Sequence, residues 1–344
     1  MGRCLGRRRR YETRAAARDV TSPDASVIVL NYNGRAWLQG CLAALAAQVG
    51  APSFETLLVD NASSDGSLDF VRQRFPAVRA IELGTNVGFA AGNNAGARAA
   101  RGRFLVFLNN DTIVATDWLS RLLVAVDGPS PFALATSRIV RLDDPSTVDS
   151  AGDGYLRAGG AYKHGHGRPV DGYAVSREVF GACGAAFIVR REVFDELGGF
   201  DESFFMVYED VDLSYRARLR GYRCWYAADA SVRHAGSATL GRLSPDAVFY
   251  GQRNLEWTWI KNTPPRLLWR TFPGHVLYSV TGLLHYAKTG RLGPALRGKL
   301  AALALLPSVL RSRRRTQSSA RASAEIDALM DRDWIAIKRG EKQV

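Results

Sequence analysis

Four short polar clusters, each closing an apolar run, hold the side chains best suited to chemistry. Residues 26–30 (SVIVL) run out into Asn31-Tyr32-Asn33-Gly34, and 56–59 (TLLV) into Asp60-Asn61-Ala62-Ser63-Ser64-Asp65-Gly66. Residues 79–83 are followed by Asn86-Val87-Gly88, and 104–108 (FLVFL) by Asn109-Asn110-Asp111. Taken alone, each cluster reads as a turn, because Asn-Gly and Asp-Gly are common turn dipeptides. Taken together they suit one ligand. A base such as uracil or thymine needs an acceptor for its ring N–H, which Asp60 supplies. A diphosphate needs a hard divalent cation that prefers carboxylate and amide oxygens, and Asp111 beside two asparagines is a candidate ligand. Gly88, Gly92 and Gly96 permit close backbone approach, and Asn93 and Asn94 offer hydrogen bonds. Tight helix–sheet packing accounts for those glycines equally well. Neither GK[ST] nor GxGxxG is present, so this is no P-loop or dinucleotide fingerprint.

A second constellation is Glu209, Asp210 and Asp212, gathered where a helical pattern starts. Acids there complement the helix dipole, a sufficient structural explanation. The preceding Phe204-Phe205-Met206-Val207-Tyr208 is strongly apolar, however, and a desolvated carboxylate beside it suits proton abstraction from a hydroxyl. His234 is either structural or a further metal ligand. His164 and His166 fall in a glycine-rich stretch and are expected to be solvated.

The elements that must position these groups alternate strand and helix. The four apolar runs are separated by amphipathic segments at 36–48, 67–75 and about 89–100, and Asp117 is placed to cap a helix reaching about Val126. Fully apolar strands alternating with helices predict an α/β fold with a mostly parallel sheet covered on both faces. In such sheets ligands bind beyond the carboxyl ends of the strands, where the four clusters converge. Residues 143–179 are glycine-rich and aperiodic, an excursion over the site face. A strand is expected at 182–189, and helices at 191–197 and 210–220 are stopped by Gly198-Gly199 and Gly221. In the last helix Val211, Tyr215 and Leu219 share one face.

With 47% hydrophobic and 23% charged residues, the 344-residue chain has the composition of a globular protein. Cys4, Cys41, Cys183 and Cys224 lack metal or disulfide spacing and read as reduced thiols of a cytoplasmic protein. The net charge of +13 is uneven: residues 1–18 carry +6, residues 19–252 carry −4 and residues 253–344 carry +11. No apolar region follows Arg7–Arg10, which excludes an export signal there, and no run is long enough to span a bilayer.

The assembled motifs SVIVLNYNG, LLVDNASSDGS, NVGFAAGNNAG, FLNNDT, the long GACGAAFIVRREVFDELGGFDESFFMVYEDVDLSYRARLRGY and VRHAGS resemble the family 2 glycosyltransferases of GT-A fold. Within them the chain is closest to the rhamnosyltransferase-like branch that builds bacterial cell-surface polysaccharides. The resemblance runs from about Ser26 to Thr239, with a looser match in the basic helices to about Arg315. It implies that Asn31, Asp60 and Asn86, with Asn61, Gly88, Asn94 and Asn110, bind a nucleotide sugar. It places the family's metal-binding DxD on Asn109-Asn110-Asp111, making Asp111 the expected ligand of Mg2+ or Mn2+, joined by His234. The family's ED pair falls on Glu209-Asp210, making Asp210 the expected base for inversion at the anomeric carbon. Asn109 in place of the first Asp removes one charge from the metal site. The implied donor is a dTDP- or UDP-sugar, L-rhamnose first, and the acceptor a lipid-linked glycan.

The expected organisation is a basic N-terminal tail (1–22), a catalytic domain (23–250), a basic amphipathic helical extension (251–315) and a polar tail (316–344). The extension mixes Leu and Trp with Arg and Lys, either to lie on an anionic membrane or to pack on the core. The first alternative predicts a peripheral protein on the inner face of the plasma membrane. A nucleic-acid-binding protein also fits the charge, but the cations avoid the polar strand ends and no nucleic-acid motif is present. A silent sugar-nucleotide binder and a nucleotidyltransferase are the other competing readings.

Overall fold

The computed structural model describes residues 22–128, 130–236 and 244–342. Cys4 and the Arg7–Arg10 run lie outside them. Strands β1 (Ala25–Asn31), β2 (Phe54–Asp60), β3 (Arg79–Glu82) and β4 (Phe104–Asn109) pair in parallel in the order β4-β1-β2-β3. Helices α1 (Arg35–Ala46), α2 (Ser67–Arg74) and α3 (Gly88–Ala99) connect them. The pleat deals successive side chains to two cores. Val27, Val29, Leu58 and Val106 meet Leu38, Leu42 and Leu45 of α1 on one face. Ile28, Leu57, Val59 and Phe107 meet Ala90 and Ala97 of α3 on the other.

The helix–sheet spacing settles two of the three glycines. A Cβ on Gly92 would stand 2.5 Å from Leu30 Cδ1, and one on Gly96 2.5 Å from Ile28 Cγ2. These two serve packing. Phe107 stacks on Phe187 at 5.0 Å, lies tilted against Phe194 and meets Phe200 edge-on, so truncating it to Ala would cost about 3–5 kcal/mol.

The second half adds β5 (Thr112–Val114), α4 (Trp118–Val126), β6 (Phe132–Arg141), β7 (Val148–Ser150), the hairpin β8 (Asp153–Tyr155) and β9 (Ala161–Lys163), β10 (Arg177–Val179) and β11 (Ala186–Arg190). After these come α5 (Arg191–Leu197), α6 (Glu209–Leu219) and β12 (Arg223–His234). Strand β11 runs antiparallel to both β4 and β6, and β12 parallel to β6, giving the sheet order β10-β12-β6-β11-β4-β1-β2-β3. Strands β6 and β12 escape a search for apolar runs because Thr, Ser, Arg and Asp interrupt them. Residues 143–179 are not the aperiodic excursion expected: they form β7 to β10, with Val148–Tyr155 buried. Their glycines sit at tight turns, as at Gly152 (φ 88°) and Gly159 (φ 91°), between very short strands. Asp117 precedes α4 but does not cap it, its carboxylate instead accepting from Arg121 Nε at 3.0 Å.

The chain ends in α7 (Pro245–Asn262), α8 (Pro265–Lys288), α9 (Leu292–Ala304), α10 (Leu306–Ser318) and α11 (Trp334–Lys342). The expected divide between residues 250 and 251 falls inside α7. That helix is bound to the core through buried charge: Lys261 Nζ lies 2.5 Å from Asp201 Oδ2 and 2.8 Å from Asp212 Oδ1, and Asn262 donates to Asp212 at 2.8 Å. Among the described residues no helix is long and apolar enough to cross a membrane.

Candidate active site

A cleft of about 990 Å³ opens over the carboxyl ends of β1 and β4. Asn61, Asn86, Gly88, Asn110, Asp111, Glu209, Asp210 and His234 all line it. Asn86 is fixed by the Asn61 amide at 2.8 Å and accepts from the Gly88 amide at 3.0 Å. Gly88 has φ 83°, and a Cβ there would stand 2.5 Å from the Phe205 ring, so this glycine is required where the other two only pack.

Three expected ligands sit elsewhere. Asn31 and Asp60 are buried behind the wall: Asn31 Nδ2 donates to Asp60 Oδ1 at 3.1 Å, and Asn31 Oδ1 accepts from Asn110 Nδ2 at 2.7 Å. The other Asp60 oxygen accepts from the Ser63 amide at 3.0 Å. The pair therefore orients Asn110 and the 61–64 turn. Asn94 is a strut, donating to Phe200 O at 2.9 Å and to Glu202 at 3.0 Å while accepting from the Phe200 amide at 2.9 Å. Its position nearly two turns into α3 points it at the loop after α5.

Asp111 and His234 meet across the β5–β12 pairing, with Nε2 3.2 Å from Asp111 Oδ1 and both residues buried. Asn109 Nδ2 lies 3.4 Å from the same nitrogen. Asp149 holds the other ring nitrogen at 2.9 Å. Burial works against a charged imidazole, but the Asp111 and Asp149 carboxylates outweigh it and raise the His234 pKa. A carboxylate behind a histidine, with the far nitrogen aimed at a second carboxylate, is the support a metal-ligating histidine ordinarily has. The donor set fits a divalent cation in the place of the shared proton. Asp149 escaped notice because it lies in the stretch read as irregular. His166, expected to be solvated, is half-buried with Nδ1 2.8 Å from Asp149 O. His164 is half-buried too, and burial then Arg177 lower its pKa to about 4.

Asp210 heads α6. Its Oδ2 accepts from the Gly184 amide at 2.7 Å and its Oδ1 from the Val211 amide at 2.8 Å. Burial lifts its pKa above the usual carboxylate range, although those amides and the Lys163 ammonium favour the anion. Glu209 is raised further, by burial and then by Asp210, and its Oε2 has no hydrogen-bond partner. Asp212 is not part of the site: it is fully buried and holds Arg216 at 2.7 Å. The residue missed here is Asp153. Ligand atoms of Asp153, Cys183 and Asp210 lie within 4.8 Å of one another, and burial then Asp210 raise Asp153 well above its ordinary value. Burial pushes the Cys183 thiol up to about 12, so the group is two carboxylates and a neutral thiol, ill-suited to a hard cation.

The segment before α6 is strained. Phe205, Val207 and Tyr208 have φ of 62°, 65° and 76°, each unfavourable for a side chain of that size. It is held from α7: Arg253 donates to Ser203 O (2.8 Å) and Phe204 O (2.9 Å), and buried Asn254 to Phe204 O (3.0 Å), Met206 O (2.8 Å) and Val207 O (2.7 Å). Phe205 O in turn accepts from the Phe89 and Ala90 amides at 2.6 and 3.2 Å, tying the loop to the start of α3.

The sequence profile of Glycosyl transferase family 2 matches residues 26–198, half of the chain. The chain belongs to this family. It is a glycosyltransferase of GT-A fold. An O-antigen biosynthesis protein of Myxococcus xanthus is 30% identical over 63% of this chain, which spans only 18% of that protein's length. An N-acetylglucosaminyl-diphospho-decaprenol L-rhamnosyltransferase of Mycobacterium tuberculosis is 29% identical over 63% of this chain and 77% of its own length. In fold, the glycosyltransferase resembles a mannosyltransferase of Pyrobaculum calidifontis solved with GDP-Man and Mn2+. The TM-score is 0.53, at 20% identity, over 89% of this chain and 87% of the other.

Proposed function

We propose that this glycosyltransferase moves a sugar, L-rhamnose first, from a dTDP- or UDP-sugar to a hydroxyl of a lipid-linked glycan in cell-surface polysaccharide synthesis. The observation that carries it is Asp210, half-buried and anchored by two amides in the same cleft as the Asp111–His234 pair. Asp210 takes the proton from the acceptor hydroxyl as its oxygen bonds to the anomeric carbon. The bond to the nucleoside diphosphate breaks on the opposite side, inverting the centre. Asn61, Asn86 and Asn110 hold the nucleotide, with Asn31 and Asp60 orienting Asn110 from behind. Asp111 and His234, with Asn109 beside them, would hold Mg2+ or Mn2+, which when bound neutralises the departing diphosphate. The names of the Mycobacterium and Myxococcus relatives support the donor sugar and the polysaccharide product.

Work at the inner face of the plasma membrane follows from a lipid-linked acceptor and from the basic C-terminal helices. Those helices are less free than their charge suggests, since Arg253 and Lys261 are buried and Lys299 pairs with Glu256. The test is a transfer assay over dTDP- and UDP-sugars with Mg2+ or Mn2+ and a diphospholipid-linked acceptor. Release of pyrophosphate from a nucleoside triphosphate, or no turnover with any donor, would sink the proposal.

A further inference from the structure

The helices after α7 are amphipathic the wrong way round for a protein surrounded by water. Of the seventeen exposed large hydrophobic residues among the described ones, twelve lie between Trp269 and Leu310. On α8, Trp269, Phe272, Val276, Val280 and Leu284 recur at spacings of three and four, which places them on one face. That face points outward, Trp269 being 77% exposed and Leu284 58%. The inward stripe of the same helix is Leu267, Thr271 and His275. Helix α9 repeats the inversion. Ala295, Gly298 and Ala302 face the protein, while Leu292, Leu296, Leu300 and Leu303 face away, the last two 63% and 64% exposed. Packing forces the inner choice, since a Cβ on Gly298 would stand 2.4 Å from Phe249 O. Nothing in packing requires leucines outside.

Charge identifies what covers this ridge. From Pro265 to Ala324 there are eleven Lys and Arg and not one Asp or Glu. Arg266, Arg270, Lys288 and Arg297 are exposed beside the apolar residues. A second copy of the chain would set cations against cations. A nucleic acid would use the cations but leave the leucines in water. An anionic bilayer takes both, the side chains entering the headgroup boundary and the cations meeting lipid phosphates.

We propose that α8 and α9 insert their outward apolar ridge into an anionic lipid surface. The inference rests on the lipid-linked acceptor proposed above and names the contact that brings enzyme and acceptor together. Tyr278 and Tyr286 of α8 line the catalytic cleft, so the helix that enters the lipid also forms a wall of the site. Insertion sets the cleft beside the interface, where a lipid-borne acceptor presents its sugar.

The test is co-flotation of the full chain with phosphatidylglycerol or phosphatidylcholine vesicles at low and high salt. Wild type should float with phosphatidylglycerol, more weakly at high salt, and poorly with phosphatidylcholine. The exposed-site doubles Leu277→Glu/Val280→Glu and Leu300→Glu/Leu303→Glu should lose about tenfold or more of the bound fraction. Val124→Glu, at a 78% exposed site on α4, should not. Ridge variants that float like wild type would overturn the proposal, as would a wild type that ignores phosphatidylglycerol. A soluble dimer broken by the ridge variants would overturn it in favour of a second copy. Turnover of sugar nucleotide without vesicles reports on the transfer reading alone, so loss of one result with the other intact shows which has failed.

Discussion

Replacing Asn254 by Ala removes the donor that α7 offers to the strained loop before Glu209 and Asp210. Phe204 O keeps Arg253, but Met206 O and Val207 O lose the Asn254 amide. Each carbonyl left unpaired when buried costs about 1–3 kcal/mol. The loop can escape this only by relaxing, and its three positive-φ residues each store on the order of 1–3 kcal/mol that relaxation would release. Relaxation would, however, withdraw Phe205 O from the α3 amides and shift the start of α6. A stability loss of roughly 2–4 kcal/mol is therefore expected, lowering Tm by about 3–6 °C for a chain of this size. The kcat should fall more than the KM for the donor changes, because Asn86 and Asn110 are untouched. Urea unfolding and steady-state transfer would measure both. An Asn254→Ala enzyme with wild-type midpoint and kcat would refute the claim that α7 holds the loop.

Other outcomes follow from the same geometry. Asp210→Asn should lower kcat by about 10²–10⁴-fold with donor binding by calorimetry unchanged. Because burial raises Asp210, the acid limb of kcat/KM should lie above the ordinary carboxylate range, with activity rising as pH rises through it; a limb at or below that range would exclude Asp210 as the base. Stability should move oppositely. Glu209 is raised in the folded state, so the stability it contributes is present at acid pH and lost as pH rises through its folded pKa. Glu209→Gln should thus raise Tm at mildly alkaline pH and leave it unchanged at acid pH, by differential scanning fluorimetry. Asp149→Asn, which removes the support behind His234, should weaken Mn2+ affinity by about 10–100-fold in a metal titration without changing the fold by circular dichroism.

The parallel half of the sheet was legible because β1, β2 and β4 are buried on both faces, and burial on both faces leaves an unbroken apolar run. Strand β12 was not, because its exposed positions carry Arg223, Asp229 and Arg233 and its register shifts between Ala227 and Ser231. The Asp111–His234 approach depends on that strand, so sequence motifs could nominate both residues without showing why they meet. Asp60 and Asn31 were correctly seen as strand-end polar groups, yet a sequence cannot tell a side chain that lines a cleft from one buried behind its wall. That distinction arises from the Ser63 turn folding back over Asp60. Asp153 was hidden by its glycines: Gly152 and Gly154 made its neighbourhood look like a loop, although it is the first residue of a buried strand.

Helix α7 also sets what can be exchanged between relatives. Arg253 and Asn254 hold the loop before Glu209 and Asp210, and one turn on Glu256 accepts from His275 and Ser279 of α8 and from Lys299 of α9. A hybrid enzyme that takes its C-terminal helices from a relative must therefore inherit the 203–208 loop along with them. The working seam for such a graft lies on the N-terminal side of that loop, far upstream of where the charge of the chain changes.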